Sequence, residues 1–377
     1  MHSFLPCAHT CNRVRRMRKC FLGAVAGILA AALFLAMPVR AISAEKAMVL
    51  DGQTGRVLYE KNADSQSLIA STTKIMTALL ICEQCNVLDR MRIPKEAVGI
   101  EGSSMYLKEG EVLTLQDLLY GLMLSSGNDA AVALAIYCGG TVEGFAALMN
   151  DKAHDLGMTG SHFVNPNGLD APEHYSTARD LAVLSSYAMQ NPIFAKTVSC
   201  KSVKAGERYL TNHNKLLWQV EGANGVKTGY TKAAGRILVS GAKRDGRQLI
   251  AVTINAPSDW QDHRHLLEDG FARFSLQTIF REGQCLGVQE IAGGTAGQVM
   301  LLAGSDFVYP VAEGEKIGIE LPGCGFVYAP VSEGQSAGYA HILLDGVAVG
   351  KVPLIYGQSV EQTKEQKKSL WEKLFSR

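Results

Sequence analysis

Three short motifs in a fixed order carry the residue types of a serine acyl-transfer centre: Ser71-Thr72-Thr73-Lys74, Ser126-Gly127-Asn128 and Lys227-Thr228-Gly229. A serine hydroxyl is a poor nucleophile at neutral pH and needs a base within hydrogen-bond reach. A lysine three residues later on a helix faces the same way. That lysine works as a base only when neutral, and burial beside a second cation, which Lys227 could supply, depresses an ammonium pKa. On a strand edge, Lys227, Thr228 and Gly229 offer an ammonium, a hydroxyl and a close backbone approach.

Each motif alone has a plainer explanation. A Ser-x-x-Lys spacing arises by chance roughly once or twice in a chain of this length. Ser43-Ala44-Glu45-Lys46 is such a coincidence, expected to be solvated and structureless beside an export signal. Ser71 as a simple N-cap, Ser126 to Asn128 as a turn and Lys227 to Gly229 as a strand end are the corresponding bland readings. Order and spacing favour chemistry, because Ser126 lies about 55 residues after Ser71 and Lys227 about 101 after Ser126, so a folded domain must bring them together.

The elements that would position these residues are legible. Strands at 47–50 and 56–59, turned at Gly52-Gln53-Thr54-Gly55, form a hairpin ahead of Ser71. Ser71 opens the apolar run Ile75, Met76, Ala78, Leu79, Leu80, Ile81, which predicts the start of a buried helix whose positive dipole end suits a nucleophile and a developing oxyanion. Thr114-x-x-Asp117 reads as a capping box before Leu118, Leu119 and Leu122. Ser126-Gly127-Asn128 then falls in a loop before a helix over 129–137. Three β-prone segments, 225–231, 235–242 and 248–255, predict an antiparallel meander with Asp245-Gly246 at its second turn, and a helix follows around 266–274.

With all three motifs in place, the chain resembles the penicillin-recognising serine enzymes, and within them the D-alanyl-D-alanine carboxypeptidases, the low-molecular-mass penicillin-binding proteins. Ile69 to Ala78, Ser126 to Ala131, Lys227-Thr228-Gly229-Tyr230-Thr231, Leu156-Gly157-Met158 and Phe163 to Leu169 look like that family's wording, and the likeness spans most of residues 45–356. The resemblance implies an α/β (α+β) chain: a β-lactamase/transpeptidase-like domain with an antiparallel sheet covered by helices, plus a small C-terminal all-β domain. It implies that Ser71 attacks the penultimate D-alanine carbonyl of a peptidoglycan stem peptide while Lys74 takes its proton, and that Ser126 relays a proton to the leaving amine. Asn128 would orient Lys74 and the substrate amide, Lys227 with Thr228 would hold the terminal carboxylate, and the amides of Ser71 and Tyr230 beside Gly229 would form an oxyanion hole. β-Lactam antibiotics would be covalent inhibitors, and no cofactor or metal is expected.

The chain departs from the family pattern in two places. Where the family often has a basic residue after the last long strand, this chain reads Ser258-Asp259-Trp260-Gln261-Asp262-His263-Arg264, leaving Arg264 or His263 as substitutes; Arg236 follows Gly235 where an uncharged residue is usual. A β-lactamase would share the acylation machinery, but no Glu-x-x-Leu-Asn lies between Ser126 and Lys227. His174 and Asp180 suggest a Ser-His-Asp triad, yet no Gly-x-Ser-x-Gly elbow supplies its serine, so structural or substrate-facing roles are expected.

The 377 residues exceed one average domain. A basic patch from Arg13 to Lys19, an apolar stretch from Cys20 to Met37 and small residues thereafter make residues 1–44 a signal peptide, cleaved after Ala41 or, as favoured here, Ala44. The leader holds six of the 37 basic residues and no acidic one, which leaves 31 basic against 36 acidic, about −5, and argues against nucleic-acid binding. Cys82-x-x-Cys85 lacks a matching second pair and reads as small buried side chains rather than a metal or redox site. The catalytic domain is expected over 45–282, with Gly- and Pro-punctuated short strands over 283–357 as the β-rich domain. In the tail, 358–377, Leu370, Trp371, Leu374 and Phe375 share a helical face among lysines, which suits peripheral attachment to a membrane surface on the cell-wall side.

Overall fold

The computed structural model describes residues 41–323 and 325–363. The body of the expected leader, Cys324 and the apolar face of the expected tail lie outside the described residues.

The chain opens with the hairpin β1 (Lys46–Asp51) and β2 (Val57–Lys61), then a 3-10 turn, Ala70–Thr73, and α1 (Lys74–Gln84). Strands β3 (Arg90–Arg92) and β4 (Val112–Thr114) pair and lead into five helices: α2 (Leu115–Leu124), α3 (Asn128–Gly139), α4 (Val142–Asp155), α5 (Ala178–Ala188) and α6 (Pro192–Ser199). The hairpin β5 (Ser202–Ala205) and β6 (Arg208–Thr211) and the short α7 (Leu216–Gln219) precede the meander β7 (Ala223–Thr231), β8 (Gly235–Arg244) and β9 (Arg247–Ile254), and α8 (Asp259–Arg273) closes the region.

The meander and the first hairpin combine into one antiparallel sheet in the order β2-β1-β9-β8-β7. Its middle strands are apolar on both faces because helices cover both. Met48, Leu50, Ile237, Val239, Ile250 and Val252 join the main core with α1 to α6. The alternate residues meet α8, where buried His263 lies between Ser240 Oγ (2.6 Å) and Thr253 Oγ1 (2.9 Å). Helix α1 is buried from Lys74 to Cys82, so it runs through the core rather than over it. The capping box is present: Asp117 N donates to Thr114 Oγ1 (3.1 Å) and Thr114 N to the Asp117 carboxylate (3.3 Å).

Three local expectations change. Ser71 lies in the 3-10 turn, and the α-helix begins at Lys74, because Thr72 Oγ1 and Thr72 N both donate to Ile69 O and tighten the entry. Asn128, expected in the loop, is already the first residue of α3. Ser43 and Ala44 are ordered: Ser43 N, Ser43 Oγ and Ala44 N all donate to the Asp262 carboxylate on α8 (3.0, 2.7 and 3.0 Å), and Ala44 is fully buried.

After α8 the chain becomes all-β. Strands β10 (Phe274–Phe280), β11 (Cys285–Ala292), β12 (Gln298–Ala303), β13 (Phe307–Ala312), β14 (Ile317–Glu320), β15 (Val327–Tyr328), β16 (Ser336–Leu344) and β17 (Val347–Tyr356) follow. They form a pair β10-β13 and a six-stranded sheet β14-β16-β17-β12-β11-β15. Small apolar clusters around Val299, Leu301, Ala340 and Leu354, and around Phe280, Ile342 and Val352, hold them together. Arg56 on the first hairpin donates to Pro310 O and Glu315, and Arg247, paired with buried Asp51 at 2.7 Å, donates to Phe274 O, so both regions are tied through charged side chains. Among the described residues no single helix is long and apolar enough to cross a membrane.

Candidate active site

The 3-10 turn presents Ser71 to solvent while the next residues turn into the core. Lys74 is fully buried, and its Nζ lies 2.9 Å from Ser71 Oγ, 2.7 Å from Asn128 Oδ1 and 2.6 Å from Asn167 O. Burial first, and then the charge of Lys227, push this ammonium well below the ordinary lysine range; Asp129 opposes them. The turn is held from beneath. Val164 N donates to His174 Nδ1 (3.1 Å), which leaves Nε2 to donate to Thr73 Oγ1 (2.8 Å), and Thr77 Oγ1 donates to Pro166 O (2.6 Å). Ala70 takes φ 44°, and Gly168, at φ +84°, packs so closely that a Cβ there would lie 1.8 Å from Ala70 O.

Helix α3 brings Asn128 to Lys74. Asn128 Nδ2 donates to Glu101 O (2.5 Å) and Asn128 N to Ser103 O (2.7 Å), which aims Oδ1 at the amine. The adjacent Asp129 carboxylate accepts from Ser104 Oγ (2.6 Å), Met105 N and Leu107 N (both 3.0 Å), fixing the 103–107 segment against the helix. Ser126 is buried at φ 60°, a left-handed conformation at the bend between α2 and α3.

Strand β7 forms the sheet edge beside the nucleophile turn. A Cβ on Gly229 would sit 3.3 Å from Ile69 O and from Thr72 N, so glycine permits this approach. Lys227 is buried, donates to Thr228 O (2.9 Å), and burial lowers its pKa to about 7.

Ser71, Ser126, Thr228, Gly229 and Tyr230 line one cleft of about 310 Å³. Lys74, Asn128 and Lys227 lie buried around it, so every residue singled out from the motifs belongs to one neighbourhood. The cleft also contains Ser103, His213, Arg236, Asp259 and Trp260, which the motifs did not identify as site residues. Burial and the charge of Lys227 lower the pKa of His213. Neither expected substitute base reaches the cleft: His263 is enclosed beneath the sheet, and Arg264 Nη2 donates to Gln219 Oε1 (3.5 Å). His174 and Asp180 form no triad. Asp180 accepts from Gly160 N (2.9 Å) and Ser161 Oγ (2.7 Å), while His174 serves the nucleophile turn, a role visible in sequence only as proximity to the Phe163 to Leu169 phrase. Cys82 and Cys85 sit at the far end of α1, with burial pushing both thiols up to about 12.

This arrangement can deliver a serine hydroxyl to a carbonyl beside a buried amine, with an edge strand ready to align an extended peptide. A family model described as D-alanyl-D-alanine carboxypeptidase matches residues 34–258, and one described as the C-terminal domain of penicillin-binding protein 5 matches 274–362. The chain is 30% identical over 327 residues to D-alanyl-D-alanine carboxypeptidase DacF of Bacillus subtilis, covering 82% of this chain and 84% of that one. It is 32% identical over 340 residues to DacC of Escherichia coli, covering 85% of each. The crystal structure of penicillin-binding protein 5 from Haemophilus influenzae superposes with a TM-score of 0.75 at 29% identity, covering 87% of this chain and all of that one. With the family model matched over more than half of its length, the chain belongs to the D-alanyl-D-alanine carboxypeptidase family of serine peptidases.

Proposed function

We propose that this protein removes the terminal D-alanine from peptidoglycan stem pentapeptides through an acyl-enzyme on Ser71. The carrying observation is the set of contacts at Lys74 Nζ. Asn128 Oδ1 and Asn167 O can only accept, so a neutral amine spends its two N–H groups on them and turns its lone pair toward Ser71 Oγ. Lys74 takes the Ser71 proton as Oγ bonds to the penultimate D-alanine carbonyl. The amides of Ser71 and Tyr230 stabilise the oxyanion. The amide bond breaks as Ser126 passes a proton to the departing amine of D-alanine, and water then hydrolyses the ester and restores Ser71. Asn128 also orients the substrate amide, and Thr228 with Lys227 helps hold the terminal carboxylate. A β-lactam would acylate Ser71 by the same first step.

The test is incubation of the purified protein with a pentapeptide ending in D-Ala-D-Ala and, separately, with a penicillin. Release of D-alanine and stable labelling of Ser71 support the reading. Rapid penicillin hydrolysis without D-alanine release overturns it in favour of a lactamase, and labelling that survives Ser71→Ala removes Ser71 as nucleophile.

We read the chain as exported, with the 358–377 tail attaching it peripherally to the membrane; the contacts of Ser43 and Ala44 with Asp262 favour a leader that ends at Ala41, the earlier of the two expected cleavage points. Trimming residues 359–377 should then move the protein to the soluble fraction. Two domains are proposed, catalytic and β-rich. The pairing of β10 with β13 supports a junction between α8 and β10, just ahead of the position expected from composition.

A further inference from the structure

Arg236 enters the cleft without a part in the chemistry above. It stands directly opposite Tyr230 in the β7–β8 ladder, so its side chain leaves the sheet on the same face as Tyr230 and Thr228, and all three line the cleft with Ser71. Its Nη2 donates to Asp259 Oδ1 (3.0 Å), and that same oxygen accepts from Trp260 N (2.9 Å). Asp259 is buried at the start of α8, so the guanidinium is gripped at one corner. Among the described residues this is its side chain's one hydrogen bond, and it is 44% exposed. A guanidinium has five donors in a planar fork, so an edge remains for a second, two-oxygen acceptor.

We propose that Arg236 receives the free carboxylate at the C-terminus of the acyl donor, which makes it a specificity-determining residue of this cleft. The inference rests on, and deepens, the reading of the cleft as a D,D-peptidase site. Lys227 alone is a weak anchor for that carboxylate. Its ammonium is buried and committed to Thr228 O, and burial brings its pKa to about 7, so near neutral pH it is only partly charged. A guanidinium keeps its charge throughout. The bases on the segment after β9 do not compete: His263 is enclosed and Arg264 is directed to Gln219. His213, within the cleft, is held toward its neutral form by burial and by Lys227.

The experiment compares second-order rate constants for acylation of the full chain by benzylpenicillin, which has a free carboxylate, and by its methyl ester, which has none. Arg236→Gln should slow the acid by about 10- to 100-fold, the loss of a charge-assisted hydrogen bond, while leaving the ester rate unchanged. Arg236→Lys should fall between the two on the acid. An acid rate equal to wild type in Arg236→Gln overturns the proposal, and so does an equal loss on acid and ester, which marks a structural role. If Arg236→Gln fails to fold by thermal unfolding, the acid-to-ester ratio of Arg236→Lys decides in the same way: a lowered ratio supports the proposal and an unchanged one overturns it. Wild-type protein that is acylated by penicillin but releases no D-alanine overturns the peptidase reading alone, since the acid–ester comparison still reads Arg236.

Discussion

Lys74 Nζ and Asn128 Oδ1 lie 2.7 Å apart, and the other end of the Asn128 amide is committed to Glu101 O. The amide therefore cannot flip without losing two hydrogen bonds, and it meets the lysine with a neutral acceptor. Asn128→Asp replaces that acceptor with a carboxylate, which favours the charged ammonium and raises the Lys74 pKa. The expected result is a loss of kcat/KM of about 10²-fold or more at neutral pH, with the acid limb of the pH profile moved to higher pH. Asn128→Ala should also lose activity, but without the alkaline displacement. Measuring kcat/KM from pH 5 to 10 for both variants distinguishes lost orientation from added charge.

Lys227 places a cation in a buried position, and its pKa of about 7 is well below that of an unfolded lysine. Below pH 7 both states hold the proton, so the full cost of burying the charge opposes folding. Between pH 7 and roughly 10.4 the unfolded chain binds more protons, so stability rises with pH as that cost fades. Lys227→Met should therefore stabilise the fold by about 1–3 kcal/mol below pH 7 while lowering activity, and its Tm advantage should shrink toward pH 10. A Tm gap that widened with pH would contradict the assignment.

Two buried histidines give a slope of the same sign in a more acidic window. Burial lowers His174 to about 4 and His263 to about 3, so each is neutral in the fold but takes a proton in the unfolded chain below about 6.5. Their contribution is complete above pH 6.5 and is lost as pH falls through 4. His174→Gln should cost about 1–2 kcal/mol at pH 7 through its bond to Thr73, yet flatten the fall of Tm between pH 6.5 and 4. Thermal unfolding across that range reads both effects.

Gly168 and Gly55 form a matched pair for testing the nucleophile turn. Both have positive φ, +84° and +73°, but a Cβ at Gly168 meets Ala70 O at 1.8 Å, whereas nothing lies within 4 Å of one at Gly55. Gly55→Ala should cost about 1 kcal/mol of backbone strain and leave penicillin labelling intact. Gly168→Ala must displace the turn carrying Ser71, with a cost of about 3 kcal/mol or more and slowed labelling. Equal labelling rates in the two variants would detach the turn geometry from reactivity.

By itself the sequence determined the family, the three motifs, the capping box at Thr114 and the meander around Lys227, because each is written in contiguous residues or in a period of 2 or 3.6. The tertiary structure alone decided what those local signals meet. It set Ser71 in a 3-10 turn ahead of α1, brought the carbonyl of Asn167 to Lys74 from 93 residues away, made the structural role expected of His174 a specific support for Thr73, and tied Ser43 and Ala44 to Asp262. It also separated Arg236, which enters the cleft, from Arg264, which does not. These outcomes depend on how buried helices seat against a twisted sheet, where a side chain's direction follows from long-range packing and strand register, and neither is encoded in the spacing of neighbouring residues.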